Sequence, residues 1–157
     1  MNLITFDNVL KNPYNYICDI FRNEFEDIAD GTNIFRNIQL RDSNDEFSQY
    51  LSNIYTDYKV DLNFIRKSPF NQEEPNFIHT DEMMGDITCI LYLNYSHPDD
   101  DGTTIYDENE LPLLKMYSKY NRMIAFDSQV PHSRNIFKNF GKDQNARLIQ
   151  VAFLKKE

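Results

Sequence analysis

The 157-residue sequence has no tryptophan, only two cysteines and only three histidines, and each shortage narrows the possible chemistry. Cys18 and Cys89 sit within apolar patterns without pair-like spacing, so they read as buried free thiols rather than a disulfide or a zinc site. No apolar run approaches the length needed to cross a bilayer, and Met1-Asn2-Leu3-Ile4 lacks the basic start and long apolar core of a signal peptide. A soluble cytoplasmic protein without a membrane partner is expected. The net charge of -9 opposes phosphate-driven binding, so duplex nucleic acid is not expected as a partner. The lack of tryptophan does not forbid a core, because 41% of the residues are apolar and 14% aromatic. The length fits a single domain over residues 1–157.

The charge is unevenly divided. Residues 1–110 carry 7 basic and 22 acidic side chains, whereas residues 111–157 carry 9 basic and 3 acidic. One reading is a solvated surface with a chance imbalance. The other is that the basic third, with Lys115, Lys119, Arg122, Arg134, Lys138 and Lys142, meets an anionic substrate or cosubstrate.

Two helices are expected before residue 60. Asn12-Pro13 reads as an N-cap with proline in the first turn, followed by Tyr14, Ile17, Cys18, Phe21, Phe25 and Ile28 at helical spacing and Gly31 as a C-terminal cap. Ile34 to Leu40 fits a short strand. Ser43 with Glu46 forms a capping-box pattern ahead of Phe47, Tyr50, Leu51, Ile54 and Tyr58. From residue 60 the period becomes two. Strands are expected around Val60 to Phe64, Phe77 to Asp81, Ile87 to Leu93, Thr103 to Tyr106, Leu113 to Tyr117, Met123 to Phe126, Asn135 to Lys138 and Arg147 to Leu154. The fold class is α+β, with helical support over 1–59 and a double-sheet jelly-roll (double-stranded β-helix) core over 60–157.

Two histidines lie in H-x-D contexts. His97-Pro98-Asp99 runs into Asp100-Asp101-Gly102, which is turn composition. His79-Thr80-Asp81 follows an extended segment, and in a strand that spacing sends imidazole and carboxylate out of one face. A second imidazole at the same point would complete the two-histidine, one-carboxylate triad that holds Fe(II) with open positions. His132, after the apolar run Met123 to Phe126 and Pro131, is the candidate; on its own a strand-end histidine bonded to a carbonyl is the commoner reading. Arg147 is in phase with Ile149, Val151 and Phe153, so it faces the core and requires a carboxylate. That carboxylate is either an acid of this chain or a ligand held bidentately.

Taken in order, His79-x-Asp81, Ile87-Thr88-Cys89-Ile90-Leu91-Tyr92-Leu93-Asn94, Asp101-Gly102-Thr103, Lys119 to Phe126, His132 and Arg147 resemble the Fe(II)/2-oxoglutarate-dependent oxygenases, most of all their prolyl-hydroxylase-like branch. The resemblance covers roughly residues 60–154. It implies that His79, Asp81 and His132 are catalytic metal ligands for Fe(II). It further implies that Arg147 and Tyr92 take the distal carboxylate of 2-oxoglutarate, with Thr88 and Ile90 lining that pocket. O2 is then the oxidant, succinate and CO2 are released, and a protein side chain of prolyl type or a small molecule is hydroxylated. Halogenating relatives lack the carboxylate, so Asp81 favours hydroxylation. The competing readings are a non-catalytic jelly-roll binding module and a cupin-type metalloenzyme that does not use 2-oxoglutarate.

Overall fold

The computed structural model describes residues 3–157; Met1 and Asn2, the first residues of the amino-terminal stretch read above, lie outside the described residues. Among the described residues there are two α-helices, α1 (Pro13–Arg22) and α2 (Glu46–Ile54). The strands are β1 (Ile4–Phe6), β2 (Glu26–Ala29), β3 (Ile34–Leu40), β4 (Tyr58–Ser68), β5 (Ile87–Tyr92), β6 (Gly102–Tyr106), β7 (Pro112–Tyr117), β8 (Arg122–Asp127), β9 (His132–Arg134) and β10 (Arg147–Lys156). They form a major sheet of order β1-β8-β5-β10-β4-β3-β2 and a minor sheet of order β7-β6-β9, with every pairing antiparallel. The class is α+β. After β4 the chain passes back and forth between the two sheets.

The alternation of each strand divides the core in two. One set, including Ile20, Phe47, Leu51, Ile65, Cys89, Leu91, Met123 and Leu154, packs between the helices and the outer face of the major sheet. The other set, Ile90, Tyr92, Ile105, Ile124, Phe126, Ile149, Val151 and Phe153, fills the space between the sheets. Adjacent residues of β5 and β10 therefore serve different cores, which is why both strands read as continuous apolar runs. Under the helices a polar network replaces apolar contact. The Asp45 carboxylate accepts from Tyr16 Oη (2.9 Å), Arg41 Nε (3.1 Å) and the fully buried Gln150 Nε2 (3.0 Å). With every member bonded, the network ties both helices to the sheet.

Several expected elements differ. Helix α1 begins as read, with Asn12 Oδ1 accepting from Asn15 N, but it ends at Arg22 instead of reaching Ile28. Asp30 is the reason: its side chain accepts from Thr32 N and Asn33 N, and Gly31 takes φ +96 in a hairpin turn that makes Glu26–Ala29 a strand. The N-cap of α2 is Asp45, which accepts from Ser48 N, rather than Ser43; Asp45 is already held in place by its network. Tyr58 belongs to β4, not α2. Residues 1–59 are more than helical support, since β1 extends one edge of the major sheet and β2 and β3 the other. Asn135 to Lys138 is not a strand: Asn135 uses its side chain to bond Thr104 Oγ1 and Met116 O, and the strand lies just before it, at β9. Cys18 and Cys89 are both free, but Cys18 is only half-buried. No helix among the described residues is long and apolar enough to cross a membrane.

Candidate metal centre between the sheets

Phe77, His79 and Asp81 do not form the expected strand. His79 makes a one-residue antiparallel bridge to His132, the first residue of β9, with backbone bonds of 3.0 Å and 2.9 Å in the two directions. Asp81 opens a turn, anchored by its N–H to Ser128 O at 2.8 Å. The shared face that an H-x-D strand would provide is thus supplied by pairing with a distant stretch of the same chain.

The result is a compact donor set. One ligand atom from each of His79, Asp81 and His132 lies within 4.8 Å of the others. His132 Nε2 is 3.1 Å from Asp81 Oδ2, and His79 Nε2 is 3.6 Å from Asp81 Oδ1. Each Nδ1 lies 3.0 Å from a backbone carbonyl, Phe77 O for His79 and Val130 O for His132. A carbonyl only accepts, so each Nδ1 donates to its carbonyl and Nε2 is the ring atom turned toward the carboxylate. Burial works to raise the Asp81 carboxyl, but the hydrogen bond and charge of His132, with His79 and Thr88, outweigh it and hold the group below its ordinary value. Thr88 Oγ1 donates to Asp81 Oδ2 at 3.1 Å and accepts from Ser128 Oγ at 2.9 Å, so it orients the carboxylate. Two imidazole nitrogens and one ionised oxygen are a donor set that fits a divalent first-row metal. The His79 side chain is 40% exposed and that of His132 6%, which leaves the centre approachable from the His79 side.

Arg147, at the start of β10, is buried, and its Nε donates to the equally buried Asp101 Oδ1 at 3.2 Å. An acid of this chain therefore meets it. Tyr92 is buried opposite Ile149 in the β5–β10 ladder, and its Oη lies 2.6 Å from Thr103 Oγ1 on the other sheet. Burial pushes the Tyr92 phenol up to about 12, so it stays protonated and can donate. Ile90 lies in the core between the sheets. His97 stands apart, bonded to Pro98 O and Ser118 Oγ, and is not part of the donor set.

Three participants were not singled out from the sequence. Asp101 stands in the sequence as a turn residue and as part of the Asp101-Gly102-Thr103 pattern, with nothing there to mark it as the partner of Arg147. Glu74, on the segment leading to His79, lies 3.8 Å from Arg66 and 3.7 Å from Arg134. Arg134 is, by composition, one cation of the basic third. Its placement was available from the spacing of His132-Ser133-Arg134, since residues two apart on a strand share a face. Burial, together with the charge of Arg147, lowers the Arg134 guanidinium to about 10 against the pull of Glu74 and Asp101.

No protein-family model and no curated protein matches the sequence. Solved structures do match in fold. SnoN, a non-heme alpha ketoglutarate dependent epimerase from nogalamycin biosynthesis, superposes with a TM-score of 0.69 at 10% identity over 98% of this chain and 77% of its own. An oxidoreductase of the 2OG-Fe(II) oxygenase family from Burkholderia pseudomallei gives 0.66 at 11% identity over 99% and 86%. A prolyl-4-hydroxylase from Pseudomonas putida gives 0.65 at 15% identity over 99% and 92%. The fold of this chain is that of the 2OG-Fe(II) oxygenases.

Proposed function

We propose that this chain is a single-domain Fe(II)- and 2-oxoglutarate-dependent dioxygenase with a jelly-roll core, which hydroxylates a protein side chain of prolyl type or a small molecule in the cytoplasm. The observation that carries the reading is the donor set of His79, Asp81 and His132, with both Nε2 atoms turned to one carboxylate inside this fold. The passage of the chain between the two sheets supports the jelly roll. Bound Fe(II) would supply O2 activation coupled to conversion of 2-oxoglutarate into succinate and CO2. The protein's part is to fix the ligands and keep the centre closed on one side. Phe77 O and Val130 O hold the imidazoles, and Thr88 with Ser128 holds the carboxylate. Arg147 and Tyr92, both buried, mark the end of the inter-sheet space proposed to receive the distal carboxylate, and Ile90 with its ladder partner Ile124 lines the way from there to the histidines. The exposed Phe77, Met83 and Met84 flank the H-x-D in sequence and offer apolar surface to a substrate.

The test is succinate release from 2-oxoglutarate by the purified protein with Fe(II) and O2, together with the weak visible absorption of the anaerobic Fe(II) chelate. Mass spectrometry of treated cell extract, searching for a gain of one oxygen, identifies the substrate. The pairing of Arg147 with Asp101 favours a second reading, a cupin-type metalloenzyme that does not use 2-oxoglutarate. Metal binding without any 2-oxoglutarate binding would select it. Absence of both would leave a binding module.

A further inference from the structure

The guanidinium groups in the space between the sheets outnumber the carboxylates that meet them. Arg147 is paired with Asp101, and both are buried. Arg66 and Arg134 share the single carboxylate of Glu74, at 3.8 Å and 3.7 Å, too long for hydrogen bonds. Glu74 Oε2 is instead occupied by the side-chain amides of Gln72 and Asn139, each at 2.9 Å. Asp81 is committed to the histidines and Thr88. Arg134 consequently keeps two buried donors, Nε and Nη2, without a partner. Unmet buried donors on a cation are strongly unfavourable, so the arrangement calls for an anion.

The two unmet donors are adjacent on one edge of the guanidinium. That edge presents two parallel N–H groups, the geometry that takes a carboxylate bidentately. Its position is equally specific. Arg134 shares a face of β9 with His132 and pairs in register with Thr103, whose hydroxyl meets Tyr92 Oη. Arg147 is two residues before Ile149, the partner of Tyr92 on the opposite sheet. The two arginines thus flank the Tyr92–Thr103 hydroxyl pair from the two sheets. That pair uses one O–H internally and has a second left to donate.

We propose that Arg134 is the principal anchor for the distal carboxylate of the diacid cosubstrate, holding it through Nε and Nη2 while the Tyr92–Thr103 pair donates to it and Arg147 remains with Asp101. This rests on the 2-oxoglutarate reading above and assigns the anchoring role within it to a different residue. The bidentate edge accepts a flat carboxylate, whereas a lysine ammonium in its place would offer only a point charge.

The experiment is calorimetric titration of the Mn(II)-loaded protein with 2-oxoglutarate and with succinate, beside melting curves of the ligand-free protein. Arg134→Met should weaken 2-oxoglutarate binding at least tenfold, and Arg134→Lys should recover only part of the loss. The ligand-free melting temperature of Arg134→Met should not fall, because the substitution removes two buried donors that have no partner, and Glu74 keeps Arg66. Mn(II) affinity should be unchanged. Binding by both Arg134 variants within twofold of the parent protein overturns the assignment and leaves the 2-oxoglutarate reading standing. A fall in the ligand-free melting temperature of Arg134→Met, with Arg134→Lys binding normally, also overturns it by making Arg134 a structural cation. A parent protein that binds Mn(II) but neither diacid overturns both.

Discussion

His79 and His132 are directly opposed residues that exchange two backbone hydrogen bonds, at 3.0 Å and 2.9 Å, and this single bridge sets their ring centroids 4.3 Å apart. The two imidazoles are held by main-chain pairing, so replacing either side chain leaves the bridge intact. His79→Ala, Asp81→Ala and His132→Ala should each lower Fe(II) affinity and succinate release on the order of 100-fold or more, since even losing a supporting residue costs ~10–100-fold. Circular dichroism should be unchanged. His97→Ala should retain activity within about twofold, because that ring is bonded in a loop outside the donor set. Equal loss in the His97 variant would place the centre at the other H-x-D.

Thr88 tests the supporting layer. Its hydroxyl donates to Asp81 and accepts from Ser128, so Thr88→Val keeps the shape while breaking that chain. Fe(II) affinity should fall ~10-fold with little loss of stability. A metal titration that cannot distinguish Thr88→Val from the parent would remove this role.

Arg147→Met leaves Asp101 buried without its cation, a change that costs about 3–5 kcal/mol when a buried pair is broken. Urea unfolding should show this loss, and Asp101→Asn added to Arg147→Met should recover part of it. The 2-oxoglutarate requirement should also rise, because the same end of the pocket is disturbed. Unchanged stability in the single variant would mean that the pair contributes nothing.

Gly102 holds the neighbouring turn. Its φ is +149, and an added Cβ would lie 1.9 Å from Met116 O and 2.7 Å from Asn135 Nδ2. Gly102→Ala must shift the backbone, costing at least ~1–3 kcal/mol, and should displace Asp101 from Arg147. A melting temperature equal to that of the parent would show that this turn yields freely.

The Asp45 network carries a pH signature independent of metal. Burial acts to raise this carboxyl, but the Ser48 amide with Gln150, Tyr16 and Arg41 outweighs it, and the group lies below its ordinary value. A carboxyl depressed in the folded state adds stability that is complete above the unfolded value near ~3.9 and is lost as pH falls through the lower folded value. Asp45→Asn should therefore be less stable than the parent by on the order of 2 kcal/mol at pH 7. The gap should narrow as the pH drops below about 4. A gap that stays constant down to pH 2.5 would rule out the ionised carboxylate as its source.

By itself the sequence determined the class of the fold and much of its element order. The alternation in β4, the unbroken apolar runs of β5 and β10 and a period near 3.6 in the helices follow from local geometry alone. The start of α1 was likewise legible, because Asn12-Pro13 acts within one turn. Tertiary structure decided what depends on partners distant in sequence. Phe25 and Ile28 continue the helical pattern of α1, yet the Asp30 turn and the β3 edge draw that stretch into a strand. His79 and Asp81 have the spacing of strand neighbours, but a bridge to His132 and a bond to Ser128 bring them together. Arg134 and Arg147 are both cations in a basic third, and their surroundings differ because Asp101 hydrogen-bonds Arg147, whereas Arg134 shares Glu74 with Arg66 at a longer distance. Periodicity is written residue by residue, whereas charge pairing in a buried space depends on which chains the fold brings to it.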